Sequence, residues 1–153
     1  MNEELNIRAY KTTDQEAVLN LLRLNTPQYF STEEENDLVY YLENEIEHYF
    51  VIEINQQIVG SGGFNFSGDK TTGKISWDIF HPEFQRKSLG TKLLNYRIQR
   101  LQTFKEVKKI TVRTSQLAYQ FYEKQGFKLL EIVEDYWAKG FHLYTMEYIK
   151  KRY

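Results

Sequence analysis

The chain has 153 residues, of which 41% are hydrophobic and 27% charged, and its 20 basic and 21 acidic side chains leave a net charge of −1. This size and balance predict one globular domain over residues 1–153 and argue against general nucleic-acid binding. The absence of cysteine excludes disulfides, thiolate metal sites and a cysteine nucleophile. Because the first residues are polar and no run approaches ~18 apolar residues, we expect neither a signal peptide nor a membrane span, and hence a cytoplasmic location.

The N-terminal third predicts one short strand and two helices. Leu5 to Tyr10 alternates as a strand, and residues 13–16 (TDQE) have the capping-box spacing that opens a helix. The dipeptide Thr26-Pro27 ends that helix. Residues 31–34 (STEE) form a second capping-box pattern, which starts the next helix.

A strand meander is predicted in the middle of the chain. The predicted strands are Tyr49 to Ile54, Gln57 to Phe66 and Ile75 to Phe80, joined by turns at Asn55-Gln56 and residues 67–70. Glycines at 60, 62 and 63 interrupt the second strand, and strand glycines mark a bulge or close packing.

The stretch from Ile75 to Phe104 reads as a strand, a tight polar turn and a helix. Pro82 ends the strand because it cannot donate a ladder hydrogen bond, and leucine and isoleucine recur at helical spacing from Leu89 onward. Unpaired N–H groups at the helix start, with Arg86 and Lys87 beside them, predict an anion site.

The last third predicts a strand, a short helix and a closing hairpin. Val107 to Thr114 alternates as a strand that lies parallel to the one ending at Phe80, which predicts a mixed α/β sheet. The helix ends with Gly126, and a strand begins at the next residue. The hairpin strands are Phe127 to Tyr136 and Phe141 to Ile149.

Two motifs carry a family resemblance. Residues 85–90 (QRKSLG) resemble the Q/R-x-x-G-x-G/A pyrophosphate loop of the GNAT superfamily of acetyl-coenzyme A dependent N-acetyltransferases, with Ser88 at a position where glycine is usual. Serine there either weakens the phosphate site or meets a phosphate oxygen with its hydroxyl. Residues 115–127 resemble the N-x-x-A-x-x-x-Y-x-x-x-G-F segment of the same family, with Ser115 in place of asparagine and Tyr122 at the tyrosine position.

The resemblance covers nearly the whole chain. It implies the fold of that family, an α/β (α+β) arrangement whose mixed, mostly antiparallel sheet has a central parallel strand pair and flanking helices. It also implies acetyl transfer from acetyl-coenzyme A to a primary amine of a small molecule or peptide, by direct attack in a ternary complex. The implied coenzyme-binding residues are Phe80, Gln85, Arg86, Lys87, Ser88, Leu89, Gly90, Thr91, Ser115 and Tyr122. Dimers are common in the family, so the resemblance admits a homodimer.

Two catalytic residues are predicted. The resemblance implies that Tyr122 protonates the departing thiolate and that the N–H of Phe80 polarises the thioester carbonyl. Asp78 lies two residues before Phe80 on the same strand face, where it is either a general base or a solvated or salt-bridged residue. Glu53 and His81 are weaker candidates for the base. The three histidines show no metal-ligand spacing, so we expect no metal.

Several features keep other interpretations open. The acidic run at residues 33–37 either compensates a helix dipole or attracts a cationic amine, as that region does in some family members. An inactive acyl-coenzyme A sensor of the same fold is the alternative function. A basic strip would support a nucleic-acid or protein interaction domain, although solvated surface charges explain it more simply. The strip contains Arg97, Arg100, Lys105, Lys108 and Lys109, with Lys150-Lys151-Arg152 in the tail.

Overall fold

The structure is a computed structural model that describes residues 4–149, with only the backbone described at residues 85–87. This part of the chain contains seven strands and four α-helices. In order they are β1 (Leu5–Ala9), α1 (Gln15–Leu24), α2 (Glu34–Asn44), β2 (His48–Ile54), β3 (Gln57–Phe66), β4 (Thr72–Phe80), α3 (Leu89–Leu101), β5 (Lys109–Thr114), α4 (Tyr119–Lys124), β6 (Phe127–Ala138) and β7 (Phe141–Tyr148). Within residues 4–149, every helix is too short or too polar to span a bilayer.

All the strands join one sheet in the order β1-β2-β3-β4-β5-β7-β6. Neighbouring strands are antiparallel except β4 and β5, which are parallel and are connected through α3. A parallel pair needs such a crossover, because its two strands start at the same edge of the sheet. The predicted mixed sheet with a central parallel pair is therefore confirmed.

Two apolar clusters cover the two faces of the sheet. On one face α3 and α4 pack against the central strands, and on the other face α1 and α2 do so. Buried residues of the first cluster include Ile52, Phe64, Ile75, Leu93, Leu94, Leu101, Val112 and Met146. Those of the second include Val18, Leu21, Leu22, Leu38, Tyr41, Tyr49, Val51 and Ile79.

The N-terminal helices begin slightly differently from the sequence prediction. A short 3-10 turn over Thr12–Asp14 precedes α1, and the reciprocal cap bond runs from the N–H of Lys11 to the Asp14 carboxylate at 2.8 Å, two residues before the predicted box. Arg8 pairs with the same carboxylate at 2.8 Å, which fixes it beside the cap. The predicted capping box at residues 13–16 was therefore wrong in position.

The second capping box forms only in part. The Glu34 carboxylate accepts a hydrogen bond from the N–H of Ser31 at 2.8 Å, and α2 begins at Glu34. The hydroxyl of Ser31 is buried and has no hydrogen-bond partner among the described residues. The glutamate of the motif thus caps the helix while the serine hydroxyl does not.

The C-terminal part agrees with the prediction except at the first residues of β5 and α4. The predicted strand from Val107 begins at Lys109, and residues 116–118 form a turn before α4 begins at Tyr119. Gly126 has φ +101, the left-handed conformation of a residue that ends a helix, and β6 follows at once.

Candidate active site

A cleft of about 1250 Å³ opens where the parallel pair separates. The pairing of the two strands ends at Ile75 and Val112, although β4 continues to Phe80 and β5 to Thr114. Beyond that point, the backbone polar groups that β4 and β5 turn toward each other lack a ladder partner and face the cleft, while β4 still pairs with β3 and β5 with β7. The predicted site residues that line the cleft are Asp78, Phe80, Ser88, Leu89, Gly90, Thr91, Ser115 and Tyr122.

A β-bulge in β4 sets which side chains reach this cleft. Trp77 and Asp78 together oppose Gly62 on β3, and Trp77 has the left-handed φ of +49. The extra residue resets the alternation of the strand, so that Asp78 and Phe80 share the α3 face with Ile75. The predicted common face of Asp78 and Phe80 is confirmed, and so is the bulge or close packing at a β3 glycine.

Tyr49 of β2 forms a hydrogen bond to the backbone of the bulge. Its hydroxyl donates a hydrogen bond to the carbonyl of Trp77 at 2.8 Å and lies 3.0 Å from Oγ of Ser61. A bulge leaves backbone groups outside the ladder, and buried groups of this kind need a partner. The Tyr49 side chain is buried, and burial raises the pKa of its phenol.

The N–H of Phe80 points toward the cleft. The N–H of His81 donates to the carbonyl of Val59 at 2.8 Å, which makes Gly60 and Phe80 a pair without hydrogen bonds in the antiparallel ladder. The backbone groups of Phe80 therefore face away from β3, toward the edge where β5 has separated. Its carbonyl accepts a hydrogen bond from Nδ2 of the buried Asn25 at 2.9 Å.

The start of α3 lies at one end of the cleft. In a 13-residue helix, the first N–H groups, here those of Leu89, Gly90 and Thr91, have no intrahelical acceptor. They carry the positive end of the helix dipole, which attracts anions. The predicted anion site thus has its backbone donors at the cleft wall.

Ser88 precedes α3 in a left-handed conformation. Its φ is +56 and its ψ is +32, and its side chain makes no cap hydrogen bond. The hydroxyl therefore does not act as the N-cap that serine often provides. The predicted side-chain contributions of Gln85, Arg86 and Lys87 lie outside the described residues.

Three side chains meet at the inner wall of the cleft. The Arg97 guanidinium of α3 makes a bidentate ion pair with the Asp78 carboxylate, with Nη2 at 2.9 Å from Oδ2 and Nη1 bonded to Oδ1. The Tyr122 hydroxyl of α4 donates to the same Oδ2 at 2.5 Å. We call Arg97, Asp78 and Tyr122 the buried triad.

Burial and charge act together on the buried triad. Burial opposes the charge of Arg97, but the ion pair with Asp78 outweighs it and raises the pKa of the guanidinium. Burial and then the negative charge of Asp78 raise the pKa of the Tyr122 phenol well above its ordinary value. The phenol therefore stays protonated at any physiological pH.

Glycine at position 62 leaves the room that the ion pair occupies. A Cβ at Gly62 would overlap Oδ1 of Asp78 and lie 2.9 Å from Nη1 of Arg97. Any larger residue at this position therefore displaces the carboxylate or the guanidinium.

Ser115 lies at the cleft beside the turn that leads into α4. Its hydroxyl accepts a hydrogen bond from the N–H of Leu117 at 3.2 Å and so stabilises this turn. Helix α4 approaches the start of α3 closely, since a Cβ at Gly90 would lie 3.1 Å from the Phe121 ring. The two family-like motifs thus meet at one end of the cleft.

The acidic run at residues 33–37 contributes one carboxylate, that of Glu34, to the lining of the cleft. Glu34 is buried there near Phe30 and Trp77, whose rings stack at 6.4 Å. Burial raises the pKa of Glu34. Glu35 instead pairs with Arg23 at 2.9 Å on the surface. The run therefore serves the helix cap and also places one buried carboxylate at the cleft.

The weaker candidates for a base lie elsewhere. Glu53 on β2 pairs with Arg8 at 2.8 Å, and Nδ1 of His81 accepts a hydrogen bond from the N–H of Glu83 at 3.1 Å. Neither residue is part of the cleft lining. Residues 4–149 contain no cluster of three or more His, Asp or Glu side chains that would hold a metal ion.

Arg97 is the site residue that sequence reasoning misplaced. It was grouped with solvated basic residues, whereas its side chain is fully buried, so the proposed basic strip loses this member. The signal in the sequence is its position, four residues after Leu93 and four before Leu101, on the apolar stripe of α3. A charged residue on such a stripe needs a buried partner, which here is Asp78.

Comparison with known proteins agrees with this architecture. The family model described as the acetyltransferase (GNAT) family matches residues 16–127. No match emerges among curated proteins.

Solved structures of low sequence identity share the fold. Ard1 from Thermoplasma volcanium superposes with a TM-score of 0.80 at 18% identity, over 97% of this chain and 99% of that one. An aminoglycoside 6′-N-acetyltransferase complexed with coenzyme A gives a TM-score of 0.75 at 16% identity, over 97% and 99% of the two chains. A variant of spermidine N-acetyltransferase SpeG from Vibrio cholerae gives 0.70 at 20% identity, over 94% and 92%.

Proposed function

The chain belongs to the GNAT acetyltransferase family, and from this premise we propose that it transfers the acetyl group of acetyl-coenzyme A to a primary amine by direct attack in a ternary complex. Family membership supports acetyl transfer in general, while the donor, the amine acceptor and the mechanism are our proposal. The observation that carries it is that one cleft collects the start of α3, the N–H of Phe80 and the Tyr122 hydroxyl.

The donor fits the cleft in three places. The N–H groups of Leu89, Gly90 and Thr91 at the start of α3 would hold the pyrophosphate, helped by the helix dipole. The unpaired edges of β4 and β5 offer backbone hydrogen bonds to the amide-bearing arm of the coenzyme. The N–H of Phe80 would stabilise the oxyanion that forms when the thioester carbonyl is attacked.

Tyr122 is our candidate for the general acid. As the carbon–sulfur bond breaks, its hydroxyl gives a proton to the departing sulfur, and the raised pKa of the phenol ensures that this proton is present. An alkyl amine has a pKa near ~10.4, so the attacking nitrogen must also lose a proton. That Asp78 accepts this proton stays a prediction, because both carboxylate oxygens already accept hydrogen bonds from neighbours.

The acceptor is a small-molecule or peptide amine in this proposal. Solved relatives of the same fold carry the names of aminoglycoside and spermidine acetyltransferases. The cleft lining also includes the Glu34 carboxylate and the stacked rings of Phe30 and Trp77, which suit a cationic group. A cytoplasmic location, a homodimer and a single domain over residues 1–153 stay predictions.

The first test measures the thermal unfolding midpoint with acetyl-coenzyme A, with free coenzyme A and an unrelated nucleotide as controls. Ligand at about 100 times its dissociation constant stabilises the folded state by ~2.7 kcal/mol, so we expect a clear upward shift. Thiol release with a panel of primary amines then tests turnover, and the protein itself contributes no thiol. A shift without thiol release from any amine would favour the inactive sensor, and no shift would overturn the proposal.

Replacement of Tyr122 by phenylalanine tests the general acid. We expect Tyr122→Phe to lower kcat about 100-fold, the usual contribution of a positioned proton donor, and to leave acetyl-coenzyme A affinity nearly unchanged. Tyr119→Phe is the matched control, because Tyr119 begins the same helix outside the cleft lining. An unchanged kcat in Tyr122→Phe would show that water or another group protonates the sulfur.

A further inference from the structure

Arg97 is the largest residue with a fully buried side chain among the described residues. Its Nη1 also donates to the carbonyl of Gly63 at 3.0 Å, and its Nε donates to that of Leu93 at 3.2 Å. The guanidinium is thus held in one orientation by backbone groups of β3 and α3. A buried ion pair contributes little net stability, because removing two charges from water costs about what their attraction returns. The presence of the pair therefore points to a role besides stability.

The buried triad extends from the core, where Arg97 lies, to the cleft, which Asp78 and Tyr122 line. Asp78 and Tyr122 line the cleft, whereas Arg97 lies behind them and does not reach it. The Asp78 carboxylate is nine-tenths buried, and each of its oxygens accepts a hydrogen bond from the guanidinium. One of these oxygens also receives the Tyr122 hydroxyl. Arg97 therefore affects chemistry in the cleft through its ion pair with Asp78 and through its positive charge, which lowers the pKa of the Tyr122 phenol.

We propose that Arg97 is a positioning residue that holds the Asp78 carboxylate in a single orientation, so that Asp78 fixes the Tyr122 oxygen and retains its hydrogen until the O–H turns from the carboxylate to the departing sulfur. This inference rests on the proposed function of Tyr122 as general acid. It assigns a role to a residue that touches neither the coenzyme nor the amine. It also gives Asp78 an orienting role in place of the direct role of a base, so that the proton lost by the attacking amine passes to solvent water.

The electrostatics of the arrangement predict the effect of breaking it. The ionisable groups that act on the Tyr122 phenol are Asp78 on β4 and Arg97 on α3. Tyr49 of β2 acts in turn on Arg97. Without the carboxylate, a phenolate at Tyr122 no longer faces a negative charge and instead faces the guanidinium. The pKa of the phenol should then fall.

The direct test is a tyrosine titration that needs no acceptor. Protein labelled with ¹³C at the tyrosine ring carbons is titrated by NMR, and the Tyr122 signal is assigned by its absence from Tyr122→Phe. We expect this signal to stay that of a neutral phenol well above pH ~10 in the wild type and to titrate markedly earlier in Asp78→Asn. An unchanged Tyr122 titration in a folded Asp78→Asn protein would overturn the proposal.

Kinetics with the fastest amine of the panel test the role of Arg97. We expect Arg97→Gln to lower kcat about 10-fold or more with little change in KM for acetyl-coenzyme A, and Arg97→Lys to recover part of the loss. In the Asp78→Asn background, Arg97→Gln should cost little more, because the two residues act as one unit. Arg100→Gln, one turn further along α3 on its exposed side, is the matched control.

The outcomes separate this inference from the proposed function. In Asp78→Asn, turnover should fail first on the alkaline side, because a phenol with a lowered pKa loses its proton there. A loss that is equal at every pH, with an unmoved Tyr122 titration, would indicate a general base and overturn the proposal. If neither acetyl-coenzyme A nor any amine gave a response, the proposed function would fail while the titration still decided whether the triad is coupled. Should Arg97→Gln not fold, Arg97→Lys and Asp78→Asn carry the test.

Discussion

Ser88 holds a backbone conformation that its side chain disfavours. Its φ of +56 places it in the left-handed region, where a Cβ approaches the following carbonyl oxygen. The hydroxyl makes no cap bond that would compensate. Glycine, the residue at this position of the motif that residues 85–90 resemble, has no Cβ and adopts the same backbone without that cost. The departure from the motif therefore has a physical cost that can be measured.

We expect Ser88→Gly to raise the free energy of unfolding by about 1 kcal/mol, since a left-handed L-residue costs roughly 1–2 kcal/mol and glycine loses some entropy on folding. The affinity for acetyl-coenzyme A should rise as well, because glycine lets the backbone approach a phosphate more closely. Urea unfolding and calorimetric titration measure the two effects. Ser88→Ala keeps the Cβ and should show neither gain, and equal stability of the glycine and serine proteins would refute the strain.

At the scale of elements, the bulge in β4 connects the fold to the site. It turns Asp78 toward α3, and it leaves the Trp77 carbonyl outside the ladder, where Tyr49 of β2 donates to it. Gly62 opposite the bulge leaves space for the ion pair. Residues of three neighbouring strands, β2, β3 and β4, therefore position the Asp78 carboxylate that accepts the hydrogen bond of the Tyr122 hydroxyl.

Tyr49→Phe removes the donor to the Trp77 carbonyl while keeping the ring. We expect a loss of about 1–3 kcal/mol in unfolding free energy, the cost of leaving a buried polar group without its partner. Turnover should fall too, because the bulge that carries Asp78 loosens. Tyr40→Phe is the control, since Tyr40 is exposed and such surface changes stay within about 0.5 kcal/mol. A stable, fully active Tyr49→Phe would mean that the bulge needs no support from β2.

At the scale of the whole molecule, buried tyrosines set the alkaline limit of stability. Burial raises the pKa of Tyr41, Tyr49 and Tyr122 above that of a solvated phenol, and the charge of Asp78 adds to the effect at Tyr122. In the unfolded chain these phenols ionise near pH ~10. Above that pH the unfolded state binds fewer protons than the folded state, so stability decreases as pH rises.

We therefore expect the free energy of unfolding to be unaffected by these tyrosines below pH ~9 and to fall steeply above pH ~10, by up to about 4 kcal/mol per pH unit when all three contribute. Urea midpoints across this range, together with the tyrosinate absorbance, measure the effect. Tyr49→Phe, with one buried phenol fewer, should show a shallower decline. A loss of stability that begins near neutral pH, or a decline of equal slope in both proteins, would contradict this account.

Sequence reasoning predicted most elements because their signals are local. The hairpin at Asn55-Gln56, the strand that ends before Pro82 and the helix that ends at Gly126 all depend on turn chemistry within a few residues. Helix starts were less accurate, since the cap of α1 uses Asp14 two residues earlier than expected. Which of two neighbouring carboxylates caps a helix depends on tertiary contacts, here the ion pair from Arg8.

The sequence by itself determined the order of the elements, the parallel pair at the centre of the sheet and the positions of the two family-like motifs. Only the tertiary structure decided that Arg97 is buried and that it meets Asp78 and Tyr122. Asp78 lies 19 residues from Arg97 and 44 from Tyr122 along the chain. No periodicity connects residues so far apart, because their contact depends on a bulge that rotates Asp78 and on a glycine that leaves space for the pair. Local patterns decide which elements form, and the packing of those elements decides which side chains meet.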